Sequence, residues 1–394
     1  MKLILLLFLL QDPFSWGDRL SSGSERERWE AVEHLSKLGE DGAEEIERCS
    51  DPWWKGIALA EWTARRKAGK SYPEPIRVEL GVWSGEGARI AGDLAEKAGI
   101  TLERRSLVSA EIVLKRKEGS WFEILKELGA KAELDIVEGM GGTYRIVPGN
   151  GGTPIRSLSR NYEVRLESFI RSTHTSFQSP PSGQTSLQFS IRSDPRNRIL
   201  SIKDPSLARG FSSPGREFKQ VPLRSRSDLA RNRYRDVALH SFEIAITPGA
   251  LAERKIGLVR GFVPVVLPLK SVLFEVTPRF DGESIRMEKD GITAVVEDLS
   301  YRNRRLSLSL SLHSSQAGVL FPEEDRIQVL DDAGFSYRPE PKSSSRSEGP
   351  SERKYEITYL NVNNQGDPKK ISFSVVTETY VRPVYFSFQD VLIE

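Results

Sequence analysis

Apolar and polar residues follow two different periods in this chain of 394 residues, and the change falls near residue 150. Before it, segments with apolar residues every three or four positions, typical of amphipathic helices, are separated by short alternating segments. After it, apolar and polar residues alternate one by one, which is typical of strands that bury one face. The pattern therefore predicts an α+β, multi-domain protein with its helices in the N-terminal part.

The first helical region is expected over residues 18–70. Ser24 and Glu27 have the spacing of a capping box, in which each side chain accepts a hydrogen bond from the other residue's backbone amide. Gly39 is expected to end this helix in the left-handed conformation, and Asp51-Pro52 to start a later one. The apolar face of the first helix consists of Trp29, Val32, Leu35 and Leu38.

The order of residues in this region resembles a HEAT-type helical repeat over about residues 26–66. The matching residues are Arg28, Ala31-Val32, Leu35, Leu38-Gly39, Gly42-Ala43, Ile46, Asp51-Pro52, Lys55 and Ala58. Because a single pair of such helices does not bury its apolar face alone, the resemblance implies a small helical cap that packs against the next domain. The candidate binding residues of this cap are three tryptophans, Trp53, Trp54 and Trp62.

A small α/β domain is expected over residues 73–149, in the order strand, helix, strand, strand, helix, hairpin. Ser84 is expected to cap the first helix. Ser120 and Glu123 form a second capping box, and the helix that follows is expected to end at Gly129. The strands are expected at residues 76–80, 101–103, 112–114, 134–136 and 144–146.

This order resembles the short N-terminal domain of secretins and TonB-dependent receptors. The resemblance rests on Ile90, Leu94-Ala95 and Ala98-Gly99-Ile100, then on Phe122, Leu125 and Leu128-Gly129, and last on Tyr144-Arg145-Ile146-Val147-Pro148. In that family the domain is a non-enzymatic periplasmic module that binds proteins or assembles into rings. The resemblance therefore implies a protein-binding role outside the cytoplasm.

Two antiparallel β-sandwich modules of the immunoglobulin-like kind are expected in the remainder, over residues 155–270 and 271–394. The division is placed where a strand that contains prolines gives way to a new alternating run. Asp281-Gly282 and Asp290-Gly291 are typical of two-residue hairpin turns. Residues 340–353 are rich in serine, proline and charge, so a flexible insertion is expected there.

Residues 1–17 have the pattern of a secretory signal peptide. Lys2 is followed by the apolar run Leu3–Leu10, and Ser15 and Gly17 provide small residues two apart, so cleavage is expected after Gly17. The run is too short to span a bilayer, which takes about 20 apolar residues, and no transmembrane span is expected later in the chain. An exported protein, periplasmic or extracellular, is therefore expected, which excludes nucleotide metabolism, transcription and cytosolic redox chemistry.

Charge is balanced overall but not along the chain, since 57 basic and 55 acidic residues give a formal net charge of +2. Residues 25–51 hold ten acidic and four basic residues, whereas residues 192–235 hold twelve basic and four acidic ones. Solvated faces and loops are one interpretation. The other is an anion-facing patch that would meet cell-wall polymer, lipid headgroups or an acidic protein sooner than nucleic acid. The candidate contacts lie in the loop 204–236 and are Arg224, Arg226, Arg231, Arg233 and Arg235.

The sequence shows no catalytic motif above background. Its four histidines are far apart and lack metal-ligand spacing, and no serine lies in a nucleophile elbow. Cys49, the only cysteine, is expected to be a buried structural thiol. We therefore expect no enzyme activity, no metal and no other cofactor. A hydrolase whose two carboxylates meet only in the fold is a weak alternative.

The expected function is protein–protein binding or assembly by a non-enzymatic protein of the cell envelope. Exposed sheet edges and the tryptophan-rich cap are the expected surfaces. The alternative is a binding module for an anionic polymer through the loop 204–236. Salt separates the two, because contacts through arginine weaken as ionic strength rises whereas apolar contacts persist.

Overall fold

The protein is about 24% helix and 52% strand, which agrees with the α+β class. The computed structural model divides it into two compact units, Met1–Tyr72 with Tyr380–Tyr385, and Pro73–Thr379 with Phe386–Glu394. The structure describes residues 15–394 except 70–71, 73, 75, 99, 101–108, 139–143, 149–154, 160, 177–178, 196, 214, 223–239, 248–254, 323, 335, 341–343, 350, 362–365 and 393–394.

The first unit contains helices joined by tight turns. They are α1 (Trp16–Ser22), α2 (Glu25–Lys37), α3 (Glu40–Glu47) and α4 (Pro52–Ala68). The capping box at the start of α2 is confirmed, because the Ser24 backbone amide donates to the Glu27 carboxylate at 2.7 Å and the Glu27 amide donates to Ser24 Oγ at 3.4 Å. Asp51 caps α4 with Pro52 at its first position, also as expected.

The predicted role of Gly39 is wrong. This residue has φ −65° and serves as the N-cap of α3, while Leu38 ends α2. The two helices approach closely at this corner, since a Cβ added to Gly42 would lie 2.3 Å from the backbone oxygen of Leu35. The sharp change of direction is therefore achieved by close helix contact and not by a left-handed glycine.

The N-terminal helix α1 packs into the same core. Ser15 caps it in a capping box with Asp18, the Trp16 ring stacks on His34 at 4.2 Å between centroids, and Gly17 is buried. Cleavage after Gly17 stays a prediction, and it would remove these contacts. Cys49 is buried, as predicted. The core of the unit consists of Leu20, Ala31, Val32, Leu35, Ile46, Cys49, Trp54, Ile57 and Ala58.

The small α/β module has the expected order of elements within its described residues. These are β1 (Arg77–Glu86), α5 (Gly87–Lys97), β2 (Glu111–Ser120), α6 (Trp121–Ala132), β3 (Leu134–Glu138) and β4 (Tyr144–Pro148). β1 pairs with β2 and β3 pairs with β4, both antiparallel. The capping box of Ser120 and Glu123 is confirmed, and the strand expected at 101–103 lies outside the described residues.

Two predicted helix ends in this module are wrong. β1 continues past Ser84, so α5 begins at Gly87, where an added Cβ would lie 2.6 Å from the Cβ of Ala132. α6 continues through Gly129 to Ala132, and Glu133 ends it in the left-handed conformation with φ 52°. Packing against neighbouring elements therefore moves both helix ends away from the residues that local preferences favour.

The rest of the chain forms antiparallel sheets. The strands are β5 (Arg156–Ser159), β6 (Tyr162–Ser176), β7 (Ser179–Ser193), β8 (Ser201–Ile202), β9 (Ser206–Ser212), β10 (His240–Ile246), β11 (Lys255–Val276), β12 (Ile285–Lys289), β13 (Ile292–Arg302), β14 (Arg305–Ser314), β15 (Gln328–Leu330), β16 (Arg338–Pro339), β17 (Ser344–Gly349), β18 (Glu352–Leu360) and β19 (Lys370–Leu392). We define the N-sheet as β10-β7-β6-β5, the shared sheet as β15-β19-β11-β8 with β9 beside β11, and the C-sheet as β12-β13-β14-β18-β16 with β17 beside β18.

The shared sheet crosses the predicted division between sandwiches at residues 270 and 271, because β11 runs through it without a break. The buried positions of β11 have odd numbers from Val259 to Leu267 and even numbers from Val272 to Val276. Since successive strand residues point to opposite faces, the two halves of β11 bury opposite faces. The division in the sequence pattern thus marks a change of buried face within one strand.

The two halves of the shared sheet line different cores. Near the N-sheet, Phe189 lies between Phe242, Phe386 and Phe388, with ring centroids 5.0 to 5.7 Å away. Near the C-sheet, the ring of Phe274 stacks on Phe373 at 5.2 Å. Leucines of β14 face this second core, as the alternation of leucine and serine predicted, and they are Leu306, Leu308, Leu310 and Leu312.

Turn predictions in the C-terminal region had mixed outcomes. Asp290-Gly291 joins β12 to β13 with both φ angles positive, which confirms a two-residue hairpin. Asp281-Gly282 instead lies between β11 and β12, which belong to different sheets. The flexible insertion expected at 340–353 is wrong, because β17 pairs there with β18. A serine-rich composition did not prevent strand pairing, since backbone groups alone supply the ladder.

Candidate binding surface

The three candidate tryptophans make contacts inside the first unit. Trp54 is buried against the edge of Trp29, with ring centroids 5.3 Å apart, and Trp53 meets Tyr385 edge-on at 5.2 Å. The indole Nε1 of Trp62 donates to the backbone oxygens of Leu38 and Gly39, at 3.2 and 2.9 Å. These side chains hold helices together and hold Tyr380–Tyr385 within the unit.

A buried ionic cluster fixes Tyr380–Tyr385 in the helical unit. The carboxylate of Glu61 on α4 accepts hydrogen bonds from Arg382 and from the Tyr72 hydroxyl, and all three side chains are buried. Arg382 Nη1 also donates to the Tyr72 hydroxyl oxygen at 2.9 Å. The guanidinium of Arg65 lies 4.3 Å from the centre of the Tyr72 ring. The bonds of Arg382 join residues more than 300 positions apart in the sequence, so the cluster has a structural role.

A second buried ionic cluster lies in the other unit and centres on Glu163 of β6. Its carboxylate is 0% exposed and accepts from Arg156 Nη1 at 2.9 Å, from Arg165 Nε at 2.8 Å and from Arg192. Arg165 and Arg192 also donate to Asp135 of β3, at 2.9 and 3.1 Å. The cluster thereby ties the β3–β4 hairpin of the small module to the N-sheet.

The arginines determine the protonation state of these acids. Burial alone would raise the pKa of Glu163, but the charges of Arg192, Arg165 and Arg156 outweigh burial and hold that pKa below its ordinary value. The pKa of Asp135 is lowered in the same way, with Arg192 and Arg165 overcoming the effect of burial. Both carboxylates are therefore ionised partners of fixed guanidinium groups.

The five arginines predicted to bind an anion lie in a range that the structure does not describe. They are Arg224, Arg226, Arg231, Arg233 and Arg235. The described part of the same loop contains β9, which pairs with β11, although no strand was expected between residues 204 and 236. Their proposed role stays a prediction.

Loops that connect strands of the C-sheet and the shared sheet bring together groups that the sequence analysis did not single out. We call the described residues of 277–284, 301–305, 331–338, 360–361 and 366–369 the loop-end surface. Phe280 is 48% exposed, and its ring centroid lies 6.2 Å from that of Tyr301. Tyr301 in turn meets Tyr337 edge-on at 6.3 Å. The result is a line of aromatic rings that runs from solvent into the core.

Hydrogen bonds fix the loops of this surface relative to one another. The Tyr337 hydroxyl donates to the backbone oxygen of Gly366, whose amide donates to the Asp331 carboxylate at 3.1 Å. The backbone amide of Asn361 donates to the backbone oxygen of Arg304 at 2.9 Å. Burial and the neighbouring Tyr301 raise the pKa of Tyr337 well above its ordinary value, so its phenol stays a neutral donor. The surface is therefore a connected structure built on strand ends.

Within the loop-end surface, arginines form a row across the outer face of the C-sheet. Arg302 of β13 pairs in register with Arg305 of β14, which pairs with Leu360 of β18, and Leu360 pairs with Arg338 of β16. Residues that pair across neighbouring strands point to the same face of the sheet. The adjacent row consists of Tyr301, Leu306 and Tyr359 and faces the core, so the row with the arginines faces outward. The three arginines are exposed and Leu360 is half-buried. We call these four residues the arginine row.

The strand β12 lies at the edge of the C-sheet, and its side chains make it a poor site for the addition of another strand. Its described backbone pairs with β13 on one side only. Its exposed side chains are Arg286, Glu288 and Lys289, and such charges discourage another strand from adding to an edge. Binding of a partner strand to the edge of β12 is therefore less favoured than binding through the side chains of the loop-end surface.

The sequence analysis missed the arginine row because its residues become neighbours only when four strands pair in a particular register. One signal was available, since Asn303 and Arg304 are a two-residue turn with φ 51° and 61°, which places Arg302 opposite Arg305. Asn-Gly is the usual pair in such a turn. Because Arg304 occupies the second position, the sequence does not resemble the usual turn. Nothing local places Arg338 in the same row.

Two general features complete the description. Among the residues that the structure describes, no three His, Cys, Asp or Glu side chains are grouped so as to hold a metal ion. None of the helices in the described part of the chain combines the length and apolar character that crossing a bilayer needs.

Comparisons with known proteins give little similarity. No family model matches the chain, and no curated protein matches it significantly. A crystal structure of a conserved domain protein from Bacillus anthracis is similar over 59% of this chain and 89% of that chain, with 13% identity and a TM-score of 0.18. A likeness of this size carries no argument about fold or function.

Proposed function

We propose that this is a non-enzymatic protein of the cell envelope that binds another protein through its loop-end surface. The observation that carries the proposal is the line Phe280–Tyr301–Tyr337, in which an exposed ring stands on rings and hydrogen bonds that hold it in place. Rigid aromatic side chains beside arginines are the usual anchors of protein interfaces. Such anchors lose little conformational freedom when a partner binds.

Two further observations support parts of the proposal. The signal-peptide pattern of residues 1–17 supports export. The buried acids Glu163 and Asp135 are held ionised by arginines, so they act as structural partners and do not exchange protons near neutral pH. The element order of the module from β1 to β4 supports the resemblance to the secretin short N-terminal domain, a protein-binding module.

A lysine-reactive cross-linker applied to the full chain in native envelope extract tests this function. We expect mass spectrometry to find a protein cross-linked near the loop-end surface, and Phe280→Ser to abolish that product. Leu273→Ser is the matched control, because Leu273 on β11 is 50% exposed and does not belong to the surface. Equal products from wild type and both variants would refute the proposed surface.

Binding of an anionic envelope polymer is the second candidate. Five arginines between Arg224 and Arg235 favour it. Replacement of Arg224, Arg226 and Arg231 by serine would then abolish retention on the polymer, and Phe280→Ser would leave it unchanged. The two candidate functions therefore respond to different variants.

A further inference from the structure

We infer that the buried ionic cluster around Glu163 holds a small inorganic anion, such as chloride, beside Arg156 and Arg192. The cluster consists of Arg156, Arg165, Arg192, Glu163 and Asp135. It joins the β3–β4 hairpin to the N-sheet and shares no residue with the loop-end surface. A bound anion would strengthen the attachment of the hairpin to the N-sheet, whichever partner the protein binds.

The charges of this cluster do not balance. Three guanidinium groups meet two carboxylates, and among the described residues these five side chains form ion pairs only with one another. The exposed fraction of the side chains is 0% for Glu163 and at most 18% for the others. Because an arginine keeps its proton, one positive charge stays buried without a counter-charge, which is costly in a protein interior.

Arg156 is the arginine with the least compensation. Arg165 and Arg192 each meet both carboxylates, whereas Arg156 meets only Glu163. Arg156 also pairs in register with Arg165 on the neighbouring strand, and like charges in that position repel each other. Burial and the two other arginines hold the pKa of Arg156 below its ordinary value against the effect of Glu163, whereas the two acids raise the pKa of Arg165 against the effect of burial. A further negative charge would therefore be most favourable beside Arg156.

Two buried N–H groups of the cluster have no hydrogen-bond acceptor among the described residues. They are Nε of Arg156 and Nη2 of Arg192. Each arginine donates through another nitrogen to the Glu163 carboxylate, Arg156 to Oε1 and Arg192 to Oε2. Both unpaired groups therefore belong to guanidinium groups that contact the same carboxylate. Buried donors in native proteins usually meet an acceptor, which can be a water molecule or an ion.

An anion meets both requirements, whereas water meets only one. A water molecule would accept a hydrogen bond from these donors but would leave the excess positive charge in place. A monoatomic anion accepts hydrogen bonds from charged donors and cancels that charge as well. No side chain of the cluster is more than 18% exposed, so a bulky organic anion does not fit. Arg165 and Asp135 are the most exposed members and mark the side from which a small anion enters.

Crystals of the full chain grown in sodium bromide test the inference directly, because anomalous scattering locates bromide. We expect an anomalous peak in contact with Arg156 Nε, with Arg192 Nη2 or with both. Crystals of the variant Arg156→Met, grown in the same way, should lack this peak. A water molecule at that position in the wild type, or a peak that the variant leaves unchanged, would overturn the inference.

Thermal unfolding in solution separates specific binding from a general effect of salt. The full chain is compared in sodium bromide and in sodium gluconate at equal ionic strength, since gluconate is too large for the cluster. We expect bromide at about ten times its dissociation constant to raise the midpoint of the second unit by about 2 °C, and Arg156→Met to lose this rise. Arg216→Met, which removes an exposed arginine from the same unit, is the matched control and should keep it.

Two results of the unfolding experiment would overturn the inference. One is an equal response of wild type and Arg156→Met to bromide. The other is no response of the wild type despite a peak in the crystal, which would mean binding at crystal concentration only. Because Arg156→Met leaves two positive and two negative charges, with Arg165 and Arg192 still bound to Glu163, we expect it to fold. The bromide peak of the wild type decides the inference even if this variant does not fold.

Discussion

Replacement of Glu163 by Gln tests whether the buried ionic cluster holds the second unit together. Glutamine keeps the size of the side chain and one acceptor oxygen but removes the charge. The carboxylate now accepts from Arg156, Arg165 and Arg192 and is 0% exposed. With Asp135 included, the cluster has three positive and two negative charges, and the variant leaves three positive charges against one.

The expected loss of stability is large. Removal of one partner from a buried ion pair costs about 3 to 5 kcal/mol, because the remaining charge stays buried without compensation. Urea unfolding at pH 7, followed by circular dichroism in the β-sheet region, measures the change. Glu167→Gln on the same strand is the matched control, because Glu167 is exposed, and its expected effect is within about 0.5 kcal/mol.

The pH dependence of the free energy of unfolding provides a second, independent test of the role of Glu163. The native pKa of Glu163 is lowered, whereas in the unfolded chain it is about 4.3. Ionised Glu163 therefore contributes its full stabilisation above about pH 4.3, and the contribution is lost as pH falls through the native pKa. The difference between wild type and Glu163→Gln should shrink as pH is lowered from 7 to 3. A loss below about 1 kcal/mol at pH 7, or a loss independent of pH, would refute this reasoning.

Three other pairs of variants test separate parts of the fold. Arg382→Met should lower helical stability by about 3 kcal/mol because Glu61 stays buried, whereas Arg66→Met at an exposed pair should change it by less than about 1 kcal/mol; thermal melts at 222 nm measure both. Gly42→Ala should destabilise by about 1 to 3 kcal/mol because its Cβ would meet the Leu35 backbone, and Gly92→Ala, with open space at its Cβ, should stabilise α5 by about 0.5 to 1 kcal/mol; urea midpoints decide. Deletion of residues 1–17 should be less stable than deletion of residues 1–14 by about 1 kcal/mol, since only the longer deletion removes the Ser15 cap; equal melting temperatures would contradict this.

The sequence correctly predicted those elements that depend mainly on residues close to one another in the chain. The capping boxes at Ser24 and Ser120 form as expected because each involves two residues three apart. The hairpin at Asp290-Gly291 forms because a two-residue turn there needs positive φ at both positions. Alternation from Leu306 to Leu312 identified β14, since one face of that strand is buried in the core.

Properties that depend on distant partners were not predicted. The start of α5 and the end of α6 differ from the prediction because side chains pack closely there, as between Gly87 and Ala132. Gly39 is not left-handed, because α3 packs directly against α2 at Gly42. The pattern at residues 270 and 271 predicts a division between domains, whereas β11 continues through these residues and changes its buried face there. Nothing near Arg382 in the sequence indicates that its partner is Glu61.

The candidate site illustrates the same limit. The sequence analysis selected residues for their type, tryptophan or arginine in a cluster along the chain. The tryptophans are used in packing the helical unit, since a large apolar ring gains more by burial there than by exposure. Phe280, Tyr301 and Tyr337 were passed over because they lie 21 and 36 residues apart and meet only where loops converge.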